Sequence, residues 1–284
     1  MSQSPLPQSQ AESPSPQPQP HASGVQLPPV VPPPSQLTPL VPPQRIKKAL
    51  VVGINSYSRI PLSRAVTDAT DLHAALKRVG YDATLVTNCS IADFDAAKNA
   101  FLASLHPGVV GLFYFAGHGV EAAVQQGSNF ESSNWLMGRQ VARSNSELPR
   151  YALDAQALLV QMERKETLFN CVILDCCRDN PLPDMTRTLS SGIGAMLAPA
   201  GSFIAFACAP KQRAADFSMN GRNGVFAMHL LRHIETPGLR VEDLFIKVGN
   251  GVRNDARSNP DRFRHTEQNP YTNSALREIG ACLA

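Results

Sequence analysis

From Arg45 onward the chain alternates short apolar runs with amphipathic helical patterns, and that alternation constrains the fold more than any other feature. Strands are expected at "KALVVGI" (Lys48 to Ile54), "ATLVT" (Ala83 to Thr87), "VVGLFYFA" (Val109 to Ala116), "NCVILD" (Asn170 to Asp175) and "SFIAFAC" (Ser202 to Cys208). Between and after them, helical periodicity runs over Val66 to Gly80, Ile91 to Leu105, Asp154 to Glu166, Gly224 to Glu235 and Val241 to Ala256. Strands alternating with helices imply βαβ units, hence an α/β fold whose central sheet is mostly parallel with helices on both faces. No internal repeat is visible.

Residues 1–44 differ in composition. They carry 14 of the 24 prolines and one charged side chain, Glu12, with Gln and Ser making up much of the rest. Such a segment cannot bury enough surface to offset its ordering entropy, so a disordered tail with polyproline II character is expected. It is either a docking tail for SH3- or WW-type domains or a solubilising spacer. The folded domain is expected over 45–284.

Composition excludes several function classes. No run approaches the ~20 apolar residues of a membrane span. The formal charge of +3 comes with no Lys/Arg block and no aromatic–basic interleaving, which argues against nucleic acid as partner. The six cysteines include no C-x-x-C pair and fit no zinc spacing. With neither a secretory signal nor a transit peptide visible, reduced thiols in the cytosol are expected.

Two strand ends carry chemistry. In "VILDCCRDNP" (Val172 to Pro181) an apolar strand runs into two cysteines, charge and a proline turn. This places Cys177 at the C-terminal rim of the sheet, where open α/β folds keep their sites. Two ordinary thiols near a strand end are the plain alternative. In "YFAGHGVE" (Tyr114 to Glu121), His118 follows a strongly apolar strand and lies between Gly117 and Gly119. Glycines there are costly unless the backbone turns sharply or approaches something closely. A nucleophilic thiol needs a base from a neighbouring strand end, and His118 can supply one. Residues two apart in extended chain point to one side, so Asp175 and Cys177 share a cleft while Cys176 turns away.

These motifs resemble the caspase-like cysteine peptidases, within them the metacaspase and paracaspase branch, over residues 46–278 or nearly so. "LVVGINSY" is similar to the family's first strand, "YFAGHG" to its His motif and "LDCCRDNP" to its D-x-C motif. "QMERKETLFNCVILDCC" is similar to paracaspases, and "EQNPYTNSAL" (Glu267 to Leu276) to the closing Gln-x-Pro segment. The resemblance implies a three-layer caspase-like sandwich and a cysteine endopeptidase, with His118 as general base and Cys177 as nucleophile. The backbone N–H groups of Gly119 and Cys177 become the implied oxyanion donors.

It further implies that Asp175 and Asp68 receive a substrate Arg or Lys at P1. A carboxylate beside the thiol would raise the thiol pKa, so Asp175 makes better sense as a receiver for a cation. Two carboxylates suit the guanidinium fork. Asp68 also has a plain role as a carboxylate in the first turn of its helix, favoured by the macrodipole. Asp216 is a third candidate; some relatives carry an acidic residue three positions earlier, where this chain has Arg213. No metal site and no cofactor are expected, and calcium activation, common in metacaspases, stays open because no dense Asp cluster is visible.

Alternatives are a catalytically silent scaffold acting through protein–protein contacts, and a legumain- or separase-like peptidase. The retained His118 and Cys177 oppose the first, and the closing Gln-x-Pro segment the second. Self-cleavage is expected after Arg187 in the long connection before Ser202. A less accessible candidate is Gly138 to Arg150, where Pro149 and strand structure are expected to interfere.

Overall fold

The seven residues Val110–Ala116 are all buried, as a strand covered on both faces must be, and they form the sheet's centre. The computed structural model describes residues 45–126, 129–176, 194–209, 212, 214, 219–263, 268–277 and 280–284. The tail expected over 1–44 lies outside them. In chain order the main elements are β1 (Lys47–Gly53), α1 (Ala65–Arg78), β2 (Tyr81–Thr87), α2 (Ile91–Ser104) and β3 (Val110–Ala116). Next come β4 (Gly119–Gln126), β5 (Asn129–Met137), α3 (Leu148–Tyr151), β6 (Ala152–Asp154) and α4 (Ala155–Glu163). The chain continues through β7 (Phe169–Asp175), β8 (Ser202–Phe206), α5 (Val225–His233), α6 (Val241–Ser258) and β9 (Tyr271–Ser274).

The larger sheet has the order β2-β1-β3-β7-β8-β9, parallel throughout except for the antiparallel β8–β9 pair. The expected fold class is the one found. Strand alternation divides the core into two layers. Phe113, Phe115, Val172 and Leu174 pack with Phe94 and Phe101 of α2 and with Leu158 and Met162 of α4. On the opposite face Leu112, Tyr114, Cys171 and Ile173 pack with Leu72 of α1, Phe226 of α5 and Phe245 of α6.

The ends of the helices follow from local chemistry. Ser90 and Asp93 form a reciprocal capping box at the start of α2. Asp154 caps α4 through the Ala157 N–H and also accepts from Ser133 Oγ, which ties α4 to the smaller sheet. That sheet, β4-β5-β6, is antiparallel and follows His118 directly. The Gly138 to Arg150 stretch is not a strand: it runs through a 3-10 turn at Asn145–Glu147 into α3, with Pro149 in the first turn where its missing N–H costs nothing.

Chain order reverses direction beside β1, since β2 lies on one side of it and β3 on the other. Open α/β sheets place their crevices outside the carboxyl ends of strands at such a switch point. The exits of β1, β3 and β7 therefore define where the site is built. At the far edge the buried Gln268 donates to the Ala207 carbonyl at 2.9 Å, seating the closing Gln-x-Pro segment before β9.

Candidate functional site

β3 and β7 are neighbours in register, with Ala116 opposite Asp175. The chain leaves these two positions side by side, so the glycine–histidine motif and the double-cysteine motif emerge together. Cys177 itself lies outside the described residues, as do Asp216 and Arg213. Cys176 is described: it is buried in the layer that faces α2 and α4, and its carbonyl accepts from the Cys208 thiol at 3.7 Å. Asp175 follows the opposite alternation, that of Cys171 and Ile173.

His118 is 3% exposed, and three contacts fix it. Its backbone N–H donates to the Tyr57 hydroxyl at 2.8 Å. Its ring lies 4.3 Å from the Tyr57 ring, tilted by 42°. Its Nε2 lies 2.7 Å from the Ile60 carbonyl oxygen. A carbonyl can only accept, so Nε2 carries a proton, and in the neutral imidazole Nδ1 then holds the lone pair. Gly117 is explained by the same contact: a Cβ there would meet the Tyr57 hydroxyl at 2.4 Å. The glycine permits the close approach of a phenol, which its sequence context had only hinted at.

Ile60 adopts φ +54°, a left-handed backbone that a β-branched residue seldom takes. Such conformations cost on the order of 1 to 3 kcal/mol and persist where the surroundings over-determine them. Here the carbonyl held at 2.7 Å from Nε2 is one surrounding constraint. Neither Tyr57 nor Ile60 was singled out in the sequence. The glycine before His118 was the one available signal.

Gly119 opens β4. Met137 N–H donates to the His118 carbonyl at 2.9 Å, which makes Gly119 and Leu136 a non-hydrogen-bonded pair of the antiparallel ladder. The Gly119 N–H consequently faces away from β5.

One cleft is lined by His118, Asp68, Asp175 and Cys176 with the apolar side chains of Leu62, Ala65 and Ala116, so Cys176, though buried, does not turn wholly away from it as expected. Asp68, in the first turn of α1, is 4% exposed, and both its oxygens accept from the Gly224 N–H that begins α5. Asp175 accepts from the Tyr114 hydroxyl at 3.0 Å. Burial, then the charges of Asp175 and Asp68, push the Tyr114 phenol well up, so it remains a donor. The charges of both carboxylates thus reach one hydroxyl. A cleft with apolar walls and two acidic groups suits an elongated cation with an apolar stem.

Among the described residues no group of three or more His, Cys, Asp or Glu side chains is arranged to hold a metal ion, and no helix is long and apolar enough to cross a membrane. None of the five described cysteines is in a disulfide.

Residues 46–278 match the caspase domain of the peptidase C14 family. The human mucosa-associated lymphoid tissue lymphoma translocation protein 1 is 28% identical over 186 residues, which is 65% of this chain and 21% of that protein. The mouse homolog gives the same figures. Among solved structures, a Geobacter sulfurreducens protein superposes with TM-score 0.56 at 17% identity, covering 82% of this chain and 95% of its own. Pro-sf-caspase-1 superposes with TM-score 0.56 at 17% identity, over 82% and 89%. The chain belongs to the peptidase C14 caspase-domain family.

Proposed function

We propose that the protein is a paracaspase- or metacaspase-like cysteine endopeptidase that cleaves after Arg or Lys, with Cys177 as nucleophile and His118 as general base. The observation that carries this reading is the register of β3 and β7, which brings the exits of the His118 and Cys177 motifs together beside two carboxylates. The Cys177 thiol gives its proton to His118 Nδ1 while sulfur attacks the scissile carbonyl. The N–H groups of Gly119 and Cys177 hold the oxyanion that forms. The imidazolium then protonates the leaving amine, and the C–N bond breaks to leave a thioester. Water, deprotonated by His118, attacks the thioester and releases the acid, returning the proton to sulfur.

Asp68 and Asp175 receive the P1 cation, with Asp216 a further candidate carboxylate outside the described residues. The chain cuts itself after Arg187, which also lies outside them; the chemistry requires no cofactor, and calcium activation is the open point that the comparison with EDTA addresses. Substrates are proteins met in a reducing, cytoplasmic setting, and the Pro-rich tail docks SH3- or WW-type partners.

Peptides bearing Arg, Lys or Asp at P1, tested with and without EDTA on wild type, Cys177→Ala and His118→Ala, decide the matter. Cleavage after Arg and Lys is expected in wild type and in neither variant. Cleavage after Asp at a higher rate would sink the acidic pocket, and no cleavage at all would favour a silent scaffold. Mass spectrometry should find a cut between Arg187 and Thr188 in wild type and none in Cys177→Ala.

A further inference from the structure

Tyr57 makes more contacts with His118 than any chemistry of its own requires. It leaves β1 in the loop that enters α1, 61 residues before the histidine, and is 5% exposed. Burial pushes its phenol far above the ordinary value, so the hydroxyl stays protonated. That hydroxyl accepts from the His118 N–H at 2.8 Å and donates toward the Met137 carbonyl at 3.5 Å. The ring meanwhile lies against the imidazole. One side chain therefore holds both the backbone and the ring of His118.

The loop carrying Tyr57 is itself pinned. Asn88, at φ +48°, uses its Oδ1 to accept from the N–H groups of Asn55 and Ser56, at 2.8 and 2.9 Å. Asn55 then accepts the Val66 N–H at 3.1 Å through its side chain and the Tyr57 and Leu62 N–H groups through its carbonyl. The same loop presents the Ile60 carbonyl to Nε2. A ring free to turn about its χ angles could donate through either nitrogen; the two contacts from one pinned loop remove that freedom.

We propose that Tyr57 is a positioning residue for His118, holding the imidazole where the Ile60 carbonyl meets its Nε2–H, so that Nδ1 is the nitrogen that accepts a proton. This rests on the peptidase reading only for its catalytic consequence. The tautomer is a property of the folded chain and can be read without any substrate.

The test uses the full chain with 15N-labelled histidine, His118→Ala supplying the assignment by difference. At a pH where the ring is neutral, wild type should show His118 protonated at Nε2 alone. Tyr57→Leu, which removes ring and hydroxyl, should give a mixture of tautomers and lower kcat for an Arg peptide about a hundredfold with KM little changed, as loss of orientation does. Tyr57→Phe keeps the ring and should keep the tautomer. Its His118 amide should exchange with solvent faster, and kcat should fall about tenfold, the size of one hydrogen bond. Should Tyr57→Leu not fold, the amide exchange of Tyr57→Phe carries the decision, unchanged exchange counting against the proposal. A pure Nε2–H tautomer in folded Tyr57→Leu overturns it, and leaves the peptidase reading intact if wild type cleaves. A tautomer that scrambles in Tyr57→Leu while wild type cleaves nothing upholds the positioning and sinks the peptidase reading.

Discussion

Both carboxylate oxygens of Asp68 accept from the single backbone N–H of Gly224, at 3.1 and 3.2 Å. The side chain of one helix thus satisfies the first donor of another, since Gly224 precedes α5. A substrate cation and a helix start would then share the same acid.

Substitution separates these two roles. Asp68→Asn keeps an oxygen for the Gly224 N–H and removes the charge; Asp68→Ala removes both. Thermal unfolding should place Asp68→Asn near wild type and Asp68→Ala lower by about 1 to 3 kcal/mol, the cost of a buried donor left without its acceptor. Both should lose about 2 to 5 kcal/mol of transition-state binding for an Arg peptide, read as kcat/KM. Equal stability of the two variants would show that the Gly224 contact is immaterial.

Asp71 lies one turn beyond Asp68 and takes a bidentate Arg222, with Asn223 as a further donor. The Arg222 hydrogen bond, opposed by burial and helped by Asn223, holds its carboxyl below the usual range. A carboxyl depressed in the folded state contributes stability above its unfolded value, near pH 4, and loses it as pH falls through the folded value. Melting temperatures of wild type and Asp71→Asn should differ at pH 7 and converge toward pH 2. The gap should stay under about 1 kcal/mol, because Arg222 is largely exposed.

Ile60→Gly should hold or raise the melting temperature. Releasing a left-handed β-branched residue returns about 1 to 2 kcal/mol, which offsets the entropy glycine adds to the unfolded chain. Ile246 is also exposed but lies inside α6, so Ile246→Gly should cost about 1 kcal/mol and serves as the control. Comparable losses in both variants would remove the strain at Ile60.

Thiol chemistry distinguishes the cysteines. Burial raises the Cys89 thiol to about 11 and pushes Cys171 higher still. At pH 8 about one Cys89 thiol in a thousand is ionised, and the thiolate is the reactive form. Iodoacetamide on native protein should leave Cys89, Cys171 and the buried Cys176 unlabelled while modifying Cys177; urea should open all of them. Cys176→Ala should cost about 1 kcal/mol of packing and leave peptide cleavage intact. A native protein labelled at Cys176 in preference to Cys177 would exchange their roles.

Of the five strands legible in the sequence, β1, β3, β7 and β8 are apolar runs inside the larger sheet and β2 is its half-exposed edge, and the helices between them start or end within a few residues of expectation. Four strands were not legible. β4 and β5 mix Gln, Ser and Asn into their alternation, β6 has three residues, and β9 is the polar edge segment "YTNS". Periodicity has little to report in such short or mixed strands, because neighbours rather than propensity decide them. The same limit applies at the site. His118, Asp68 and Asp175 each sit in a local motif, whereas Tyr57 acts across 61 residues and Ile60 across 58, through a hydroxyl and a backbone oxygen that no local pattern marks.

Consecutive residues Asp175 and Cys176 follow opposite alternations at the end of β7: both border the cleft, and Cys176 also belongs to the apolar layer. A slip of one residue in the β3–β7 pairing would drive the aspartate into that layer. An aspartate without partners among Phe113, Phe115 and Leu158 costs several kcal/mol, which sets the native register against its neighbours. Titration of the Cys177 thiol in native protein should therefore count correctly registered molecules.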